Sequence, residues 1–366
     1  MSTDINMNDL LQATVDEGSS DLHIRVGVPP MLRIHGSLTP LDSPPLTPED
    51  TEALARSIMA EDKQHEVEQC GGADFALPFG DLARFRVSVF KERGHYGIVL
   101  RQIPNKLLSL EQIGLPEQVK ELLFRPRGLI LVTGPTGSGK TTTLASMIDI
   151  INKERDVHII TVEDPVEYYH PHKKSVVTQR EIGHDVPTFA EAIRRALRQD
   201  PDVILVGEMR DLETMALALT CATMGMLVFA TLHTNNAPKT VDRIIDTFPA
   251  EQQPQIRAML AQSLTAVVSQ LLCRTKDGKG RIGSFEILLK HDGLPATIRE
   301  GQIANIRSII EQSSGRGMRS MDNDLTRLLK EGIITPMEAY MKSTNKQDFE
   351  PLLDAADRQS LRGAEA

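Results

Sequence analysis

Apolar and polar positions change their rhythm along this chain near residue 128. Up to about residue 101, short apolar runs alternate with turn signals. "SDLHIRVGVPPMLRIHG" reads as strand, Pro-Pro break and strand, and "ARFRVSVF" and "YGIVLRQIP" read as two more strands. The pattern predicts an α+β domain over residues 1–101. Ile103 to Pro116, "IPNKLLSLEQIGLP", carries proline towards both ends and no sustained period, which suits a linker over 102–116. From Gly128 onward, near-continuous apolar runs alternate with helical patterns, as expected of a mostly parallel sheet covered by helices on both faces. Strands are predicted at Leu129 to Thr133, His158 to Val162, Val176 to Thr178, Val203 to Val206 and Leu227 to Thr231. Thr188 and Glu191 have capping-box spacing, and Phe189, Ile193, Ala196 and Leu197 follow at helical spacing, so a helix is expected over 189–199. From about residue 286 the pattern reads as helical, and the polar end "DRQSLRGAEA" is expected to fray. Residues 117–366 thus read as one α/β domain with a helical carboxy-terminal region.

Length agrees with this division, because 366 residues exceed what one hydrophobic core usually organises. The opening residues are polar and acidic rather than a basic start followed by an apolar run, and nowhere do eighteen apolar residues follow one another. A cytoplasmic protein is expected. Cys70, Cys221 and Cys273 stand far apart without CxxC spacing, which implies neither a zinc ribbon nor a disulfide framework. A formal net charge of −9, no tryptophan and 4% aromatic residues disfavour a surface built for phosphate backbones or stacked bases. No nucleic-acid partner is expected.

The sharpest local signal is "GPTGSGKT" at residues 134–141, set between an apolar strand and a helix. Phosphate binding by backbone amides needs a chain that turns through positive φ with no side chain in the way, and Gly134, Gly137 and Gly139 provide it. Pro135, Thr136 and Ser138 complete the loop, while Thr142 continues into the helix whose amino terminus favours an anion. Lys140 can reach the β and γ phosphates of a nucleotide, and the Thr141 hydroxyl can ligate Mg²⁺.

Two further strands end in acids. Val203 to Val206 runs into "GEMRD", placing Glu208 where it can hold the metal through water, and His158 to Val162 runs into "EDPVE", placing Glu163 at the same edge. Ligands of such sheets bind at the carboxyl ends of strands. Glu163 is the candidate for activating an attacking water. "FATLHTNN" ends another strand with His233, a candidate sensor of the γ-phosphate. The cluster His170, His172, Lys173 and Lys174 reads as a solvated loop, because His-Pro-His cannot set both rings on one regular face. Candidate arginine fingers are Arg84, Arg86 and Arg101 in the first domain and Arg194, Arg195 and Arg198 on the capped helix; an i, i+4 pair with Glu191 would equally explain Arg195.

Taken in order, "GPTGSGKTTT", "ITVEDPVEY", "DPDVILVGEMRDLET" and "ATLHTNNA" resemble the secretion ATPase superfamily, and most closely the retraction ATPases of type IV pili. "SDLHIRVGVPPMLRIHG", "RFRVSVF" and "TQREIG" are similar to that family's PAS-like amino-terminal domain and arginine-bearing core, and "GMRSMDNDL" to its carboxy-terminal helices. The resemblance implies a PAS-like domain followed by a RecA-like P-loop ATPase domain with carboxy-terminal helices, ATP and Mg²⁺ as cofactors, and a homo-hexameric ring. It further implies work delivered at the cytoplasmic face of the inner membrane to a pilus platform protein, beside an extension ATPase or a paralogous retraction ATPase. By the same resemblance Gly134 to Thr141 is the Walker A motif, Glu163 centres the acidic box, Glu208 the Walker B motif, and His233 the histidine box. The tetracysteine zinc motif and longer amino-terminal region usual in extension ATPases are missing, which favours the retraction side.

Two departures stand out. Where the family's histidine box begins Gly-His, this chain has Gly225 and Met226, and its helical motif AIRNLIRE falls on "GLPATIRE", retaining only Ile298, Arg299 and Glu300. Proline inside that motif predicts a helix beginning near Pro295. An accessory retraction paralogue and a type II secretion-like ATPase are alternatives within the same chemistry; a nucleotide-binding regulatory subunit is the alternative outside it.

Overall fold

The computed structural model describes residues 5–358 except 35, 81, 105, 106, 279 and 356, so most of "DRQSLRGAEA" lies outside the described residues. The chain divides into two compact units, Met1–Lys106 with Pro165–Tyr169, and Leu107–Asp164 with His170–Ala366.

In the first unit six strands form one antiparallel sheet: β1 (Asp21–Ile24), β2 (Met31–Ile34), β3 (Ser37–Pro40), β4 (Gly72–Phe79), β5 (Ala83–Glu92) and β6 (His95–Pro104), in the order β3-β2-β1-β6-β5-β4. Alternation along β5 sorts its two faces: Phe85, Val87 and Val89 are buried with Leu22, Ile98 and Leu100, whereas Arg84, Arg86 and Ser88 project from the other face. Arg86 stands opposite Arg101, and Arg101 opposite Asp21, so one charged row crosses three strands of that second face.

The second unit holds seven strands: β7 (Gly128–Thr133), β8 (His158–Glu163), β9 (Val176–Glu181), β10 (Val203–Val206), β11 (Leu227–Leu232), β12 (Leu264–Arg274) and β13 (Arg281–Leu289). Their order is β13-β12-β7-β11-β10-β8-β9, and every neighbouring pair is parallel except β12 with β13. All five expected strands are present, with β9 running on to Glu181. β12 and β13 are where the expectation fails. The helical pattern read from residue 286 is strand as far as Leu289, and the first helix beyond it begins at Leu294. β12 is buried on both faces over Leu264 to Gln270, and such a run carries neither a period of two nor one of 3.6. The capped helix is also shorter than expected, Phe189–Ala196 with Leu197 as its C-cap; Thr188 accepts from the Glu191 amide, but the Glu191 carboxylate turns to Arg194 and Arg195 instead of back to the cap. Within the stretch read as linker, a short helix at Leu110–Ile113 buries Leu110 and Ile113 in the core of the second unit.

Carboxy-terminal helices are pinned to this sheet by one buried carboxylate. The Asp324 side chain is fully buried on the helix Met321–Lys330 and accepts from Arg319 at 2.6 Å, Arg327 at 2.9 Å and the Phe285 amide of β13 at 2.9 Å. Around it, Leu325, Leu328, Ile334 and Phe349 form a separate apolar cluster with Cys273. No described helix is long and apolar enough to cross a membrane. Removing one partner of a buried ionic network leaves the others desolvated and uncompensated, so Asp324→Ala is expected to cost about 3 kcal/mol. Urea unfolding followed by far-UV circular dichroism reads this; an unchanged midpoint would mean that the network contributes no more than a surface pair.

Candidate functional site

Parallel register brings the candidate residues to one edge of the second sheet. Leu232 of β11 pairs with Thr133 of β7, and Val206 of β10 lies between Ala230 of β11 and Val162 of β8. The chain therefore leaves β7 into the glycine-rich loop, β8 through Glu163, β10 towards Glu208 and β11 into His233 at the same carboxyl-terminal edge.

The loop is built by close approach. Gly134 has φ 142°, and a Cβ there would stand 2.2 Å from the Gln270 carbonyl oxygen and 2.7 Å from Ser138 Oγ. Gly137 and Gly139 take φ of 76° and 88°, a region L side chains rarely adopt. Pro135, Thr136 and Gly137 form the exposed crest and Ser138 is buried beneath them. The helix Lys140–Glu154 starts directly at the loop with Gly139 as its N-cap, so the first-turn amides of Lys140, Thr141 and Thr142 face the loop. The Lys140 ammonium donates to the Gly134 and Pro135 carbonyls at 2.8 and 3.0 Å. Burial pushes Lys140 below its ordinary range, while the Glu208 carboxylate acts in the opposite sense. From β12, Gln270 accepts from the Thr143 hydroxyl at 2.8 Å and Ser269 meets Thr133 at 2.8 Å, so the strand missing from the sequence expectation is the wall behind the loop.

Glu163 is 7% exposed, and its Oε1 accepts from Thr161 Oγ1 at 2.7 Å and from Gln179 Nε2 at 3.3 Å. Gln179 sits on β9 opposite Thr161, and its own Oε1 accepts from the His170 amide at 2.7 Å, which fixes the orientation of the amide. Gln179 lies within "TQREIG", and its contact with Glu163 follows from strand pairing that a linear reading does not contain. The expectation of a solvated loop holds for His172, Lys173 and Lys174, which are exposed, and is corrected at His170. His170 is 4% exposed, burial pushes its imidazole down to about 4, and His172 Nδ1 accepts from the Val177 amide. Asn152 of the loop's helix donates to the Pro171 carbonyl and accepts from the Lys173 amide, while Asp149 pairs with Lys173 and Lys153. The segment is thus a strap clamped to the loop's helix.

Glu208 lies between two basic side chains: its Oε2 is 2.8 Å from Arg210 and its Oε1 is 3.0 Å from His233 Nε2. Burial pushes the Glu208 carboxyl up, but the Arg210 hydrogen bond and the charge of His233 prevail and hold it below its ordinary range. Arg210 was not singled out from sequence, although it stands two residues beyond Glu208. The hydroxyl of Thr141 and the carboxylate of Glu208 are hard oxygen donors of the kind Mg²⁺ takes.

The three arginines of the capped helix do not gather here. Arg194 pairs with Glu191 at 2.8 Å and with Glu213, Arg195 pairs with Glu191 at 2.7 Å, and Arg198 is exposed beyond the end of that helix. Arg84, Arg86 and Arg101 belong to the first unit, where Arg101 bonds Asp21 at 2.9 Å. Met226 precedes β11 and is therefore at the opposite edge of the sheet from His233. The helix Leu294–Arg299 carries Pro295 in its first turn, one residue inside its start.

Because a Cβ at residue 134 would meet the Gln270 backbone, which cannot swing aside, Gly134→Ala is expected to displace the loop and weaken Mg·ADP binding by roughly a hundredfold, the loss of about two charge-assisted hydrogen bonds. Fluorescent-nucleotide titration measures it, and wild-type affinity would show that the loop tolerates the shift.

Comparison with known proteins places this geometry. Residues 3–332 match the family described as Type II/IV secretion system protein. The chain is 44% identical over 345 residues to the type IV pilus retraction ATPase PilT of Pseudomonas aeruginosa, covering 94% of this chain and 100% of that one. It is 40% identical over 340 residues to the type IV pilus ATPase PilU of the same organism, covering 93% and 89%. Among solved structures, that of the pilus retraction motor PilT with bound ADP superposes with a TM-score of 0.89 at 44% identity, covering 95% of this chain and all of that one. With a phosphate loop, two strand-end glutamates and a histidine on one sheet edge, and with this likeness along nearly its whole length, the chain belongs to the type II/IV secretion system protein family.

Proposed function

We propose that this chain is an ATP-hydrolysing motor subunit that powers type IV pilus retraction. The observation that carries the reading is the convergence of Lys140, Glu163, Glu208 and His233 on one sheet edge, in a chain 44% identical to a retraction ATPase. Loop amides and Lys140 take the β and γ phosphates, a stronger set of acceptors than the carbonyls to which the ammonium donates. Glu163 accepts the proton of the water that attacks the γ-phosphorus, as the bond to the ADP oxygen breaks. Thr161 and Gln179 both donate to one oxygen of that carboxylate, which fixes its orientation. Thr141 and Glu208 would hold Mg²⁺, the latter through water, and the metal supplies neutralisation of phosphate charge. His233, bonded to Glu208, is positioned to report the state of the γ-phosphate to the helix Ala237–Asp246 that follows it.

The working form is a homo-hexamer at the cytoplasmic face of the inner membrane, acting on a pilus platform protein, with arginines of a neighbouring first unit as the source of any finger. The likeness to PilU and the partial motif "GLPATIRE" support a second reading, an accessory retraction ATPase.

Glu163→Gln is expected to retain ATP binding while its turnover falls on the order of 10²-fold, and Gln179→Leu to lower kcat roughly tenfold with KM nearly unchanged, because it frees the carboxylate without touching the loop. Steady-state ATPase assays separate the two constants. A rise in KM alone for Gln179→Leu would assign it to binding, and an unchanged Glu163→Gln rate would move the base elsewhere.

Retraction itself is tested by expressing the chain in a strain lacking its retraction ATPase. Restored twitching together with turnover supports the motor, turnover without twitching supports the accessory reading, and absence of turnover from the purified chain refutes both.

A further inference from the structure

At the amino-terminal edge of the same sheet, opposite the phosphate loop, lies a cavity of about 80 Å³. Strands β7 and β12 begin there, and the helices Leu212–Met224 and Gln253–Ser263 end there. Arg125, Arg127 and Lys290 line it, with Gln262, Thr223 and Thr265. Gly128 makes the close approach possible: at φ 135° its Cβ would stand 2.1 Å from Thr265 Oγ1, so any side chain at 128 would fill the wall. Lys290 is fixed at the rim by its backbone amide, which donates to the Thr265 carbonyl at 2.8 Å. A water needs about 10–15 Å³ measured this way, so the cavity has room for several waters or for one tetrahedral oxyanion.

Charge decides between a structural and a binding role. Among the described residues none of the three cations has an ion-pair partner. Two helix carboxyl termini open into the cavity, and each carries about −0.5 of an elementary charge. Together they offset roughly one of the three positive charges, which leaves about +2 concentrated on a chain whose formal net charge is −9. Helix-end compensation therefore accounts for one of these residues and not for the set.

We propose that this cavity is a second anion site, separate from the nucleotide loop, which takes a phosphate-class oxyanion. Arg125 and Arg127 present forked donors on either side of Pro126, Lys290 supplies a point charge, and the Gln262 amide supplies a neutral donor. A doubly charged, tetrahedral group with several acceptor oxygens matches both the charge and the number of donors along the lining. The source is either a free phosphate compound or the headgroup of an anionic lipid.

The test uses the full chain with saturating Mg·ADP in every sample, so that the nucleotide loop does not compete for the probe. The thermal midpoint is followed against pyrophosphate for wild type, for the pocket pair Arg127→Gln with Lys290→Gln, and for an exposed pair of equal charge, Lys276→Gln with Lys330→Gln. Wild type and the exposed pair should be stabilised alike, whereas the pocket pair should need roughly tenfold or more pyrophosphate for the same rise. Equal responses of all three would overturn the site and assign the effect to diffuse charge. Should the double variant fold poorly in the absence of pyrophosphate, Lys290→Gln alone, an exposed position, serves in its place. Flotation with phosphatidylglycerol and phosphatidylcholine vesicles then distinguishes the sources. Selective flotation with phosphatidylglycerol that is lost in the pocket pair assigns a lipid headgroup; its absence beside a pocket-dependent pyrophosphate response assigns a free phosphate compound.

Discussion

The parallel register of β8, β10, β11 and β7 is the constraint on which the rest depends. Side chains on a strand alternate with a period of two, so a slip of one residue in any of these pairings would exchange the side chains packed on the two covered faces. All six residues of β7 and of β11 and all four of β10 are buried, which leaves no polar row to tolerate a slip. Held in that register, four strands stop together, and the residues after them meet without any being selected for contact along the chain. Glu208 and His233 are 25 positions apart in sequence and 3.0 Å apart in space for this reason alone.

What stands behind the phosphate loop is a thin polar layer in an otherwise apolar interior. Thr133, Thr143 and Ser269 are fully buried and Gln270 nearly so, and they satisfy one another across β7, β12 and the loop's helix. Leaving such a group without its partner costs roughly 1–3 kcal/mol, so this arrangement penalises any displacement of β12 from β7. The same strand contributes the Gln270 carbonyl against which Gly134 is packed. Loop shape and sheet register are consequently one feature: the loop is rigid because the strand beside it is fixed by hydrogen bonds.

The candidate site was legible from sequence where a local rule suffices. A positive-φ loop requires glycine at 134, 137 and 139, and strand-end acids follow from apolar runs that stop, so Glu163, Glu208 and His233 could be placed at an edge before any pairing was known. Elements whose signature is not local were missed. β12 is buried on both faces and so has no period, and "FEILL" within β13 looks helical because Phe285, Leu288 and Leu289 stand at spacings of three and four; antiparallel pairing over Ala266 to Arg274 decides the matter instead. Gln179 and Gln270 gain their meaning only from neighbours on other elements, whereas Arg210 meets Glu208 only two residues before it. His170 was misjudged for the same reason: a His-Pro-His segment flanked by lysines is polar in sequence, yet Asn152 and Asp149 on the loop's helix draw it in and bury the ring.

Position in the fold also limits what the two departures from the family pattern can do. β11 has six residues between Met226 and His233, a span of about 20 Å at the rise of a strand, so the histidine missing at 226 was never within reach of phosphates bound at the loop. Met226 is partly buried against the core, and its carbonyl accepts from the Gly128 amide at 3.0 Å, tying the start of β11 to the start of β7. Pro295 sits where its missing N–H costs nothing, in a first turn whose amides have no partner within the helix, and Leu294 and Ile298 still bury the helix against the core. Neither substitution alters a donor, acceptor or charge at the nucleotide edge. Any effect they have on motor output must be carried by packing at the far edge of the sheet and along the carboxy-terminal helices, which makes loss of movement with retention of chemistry the physically available failure.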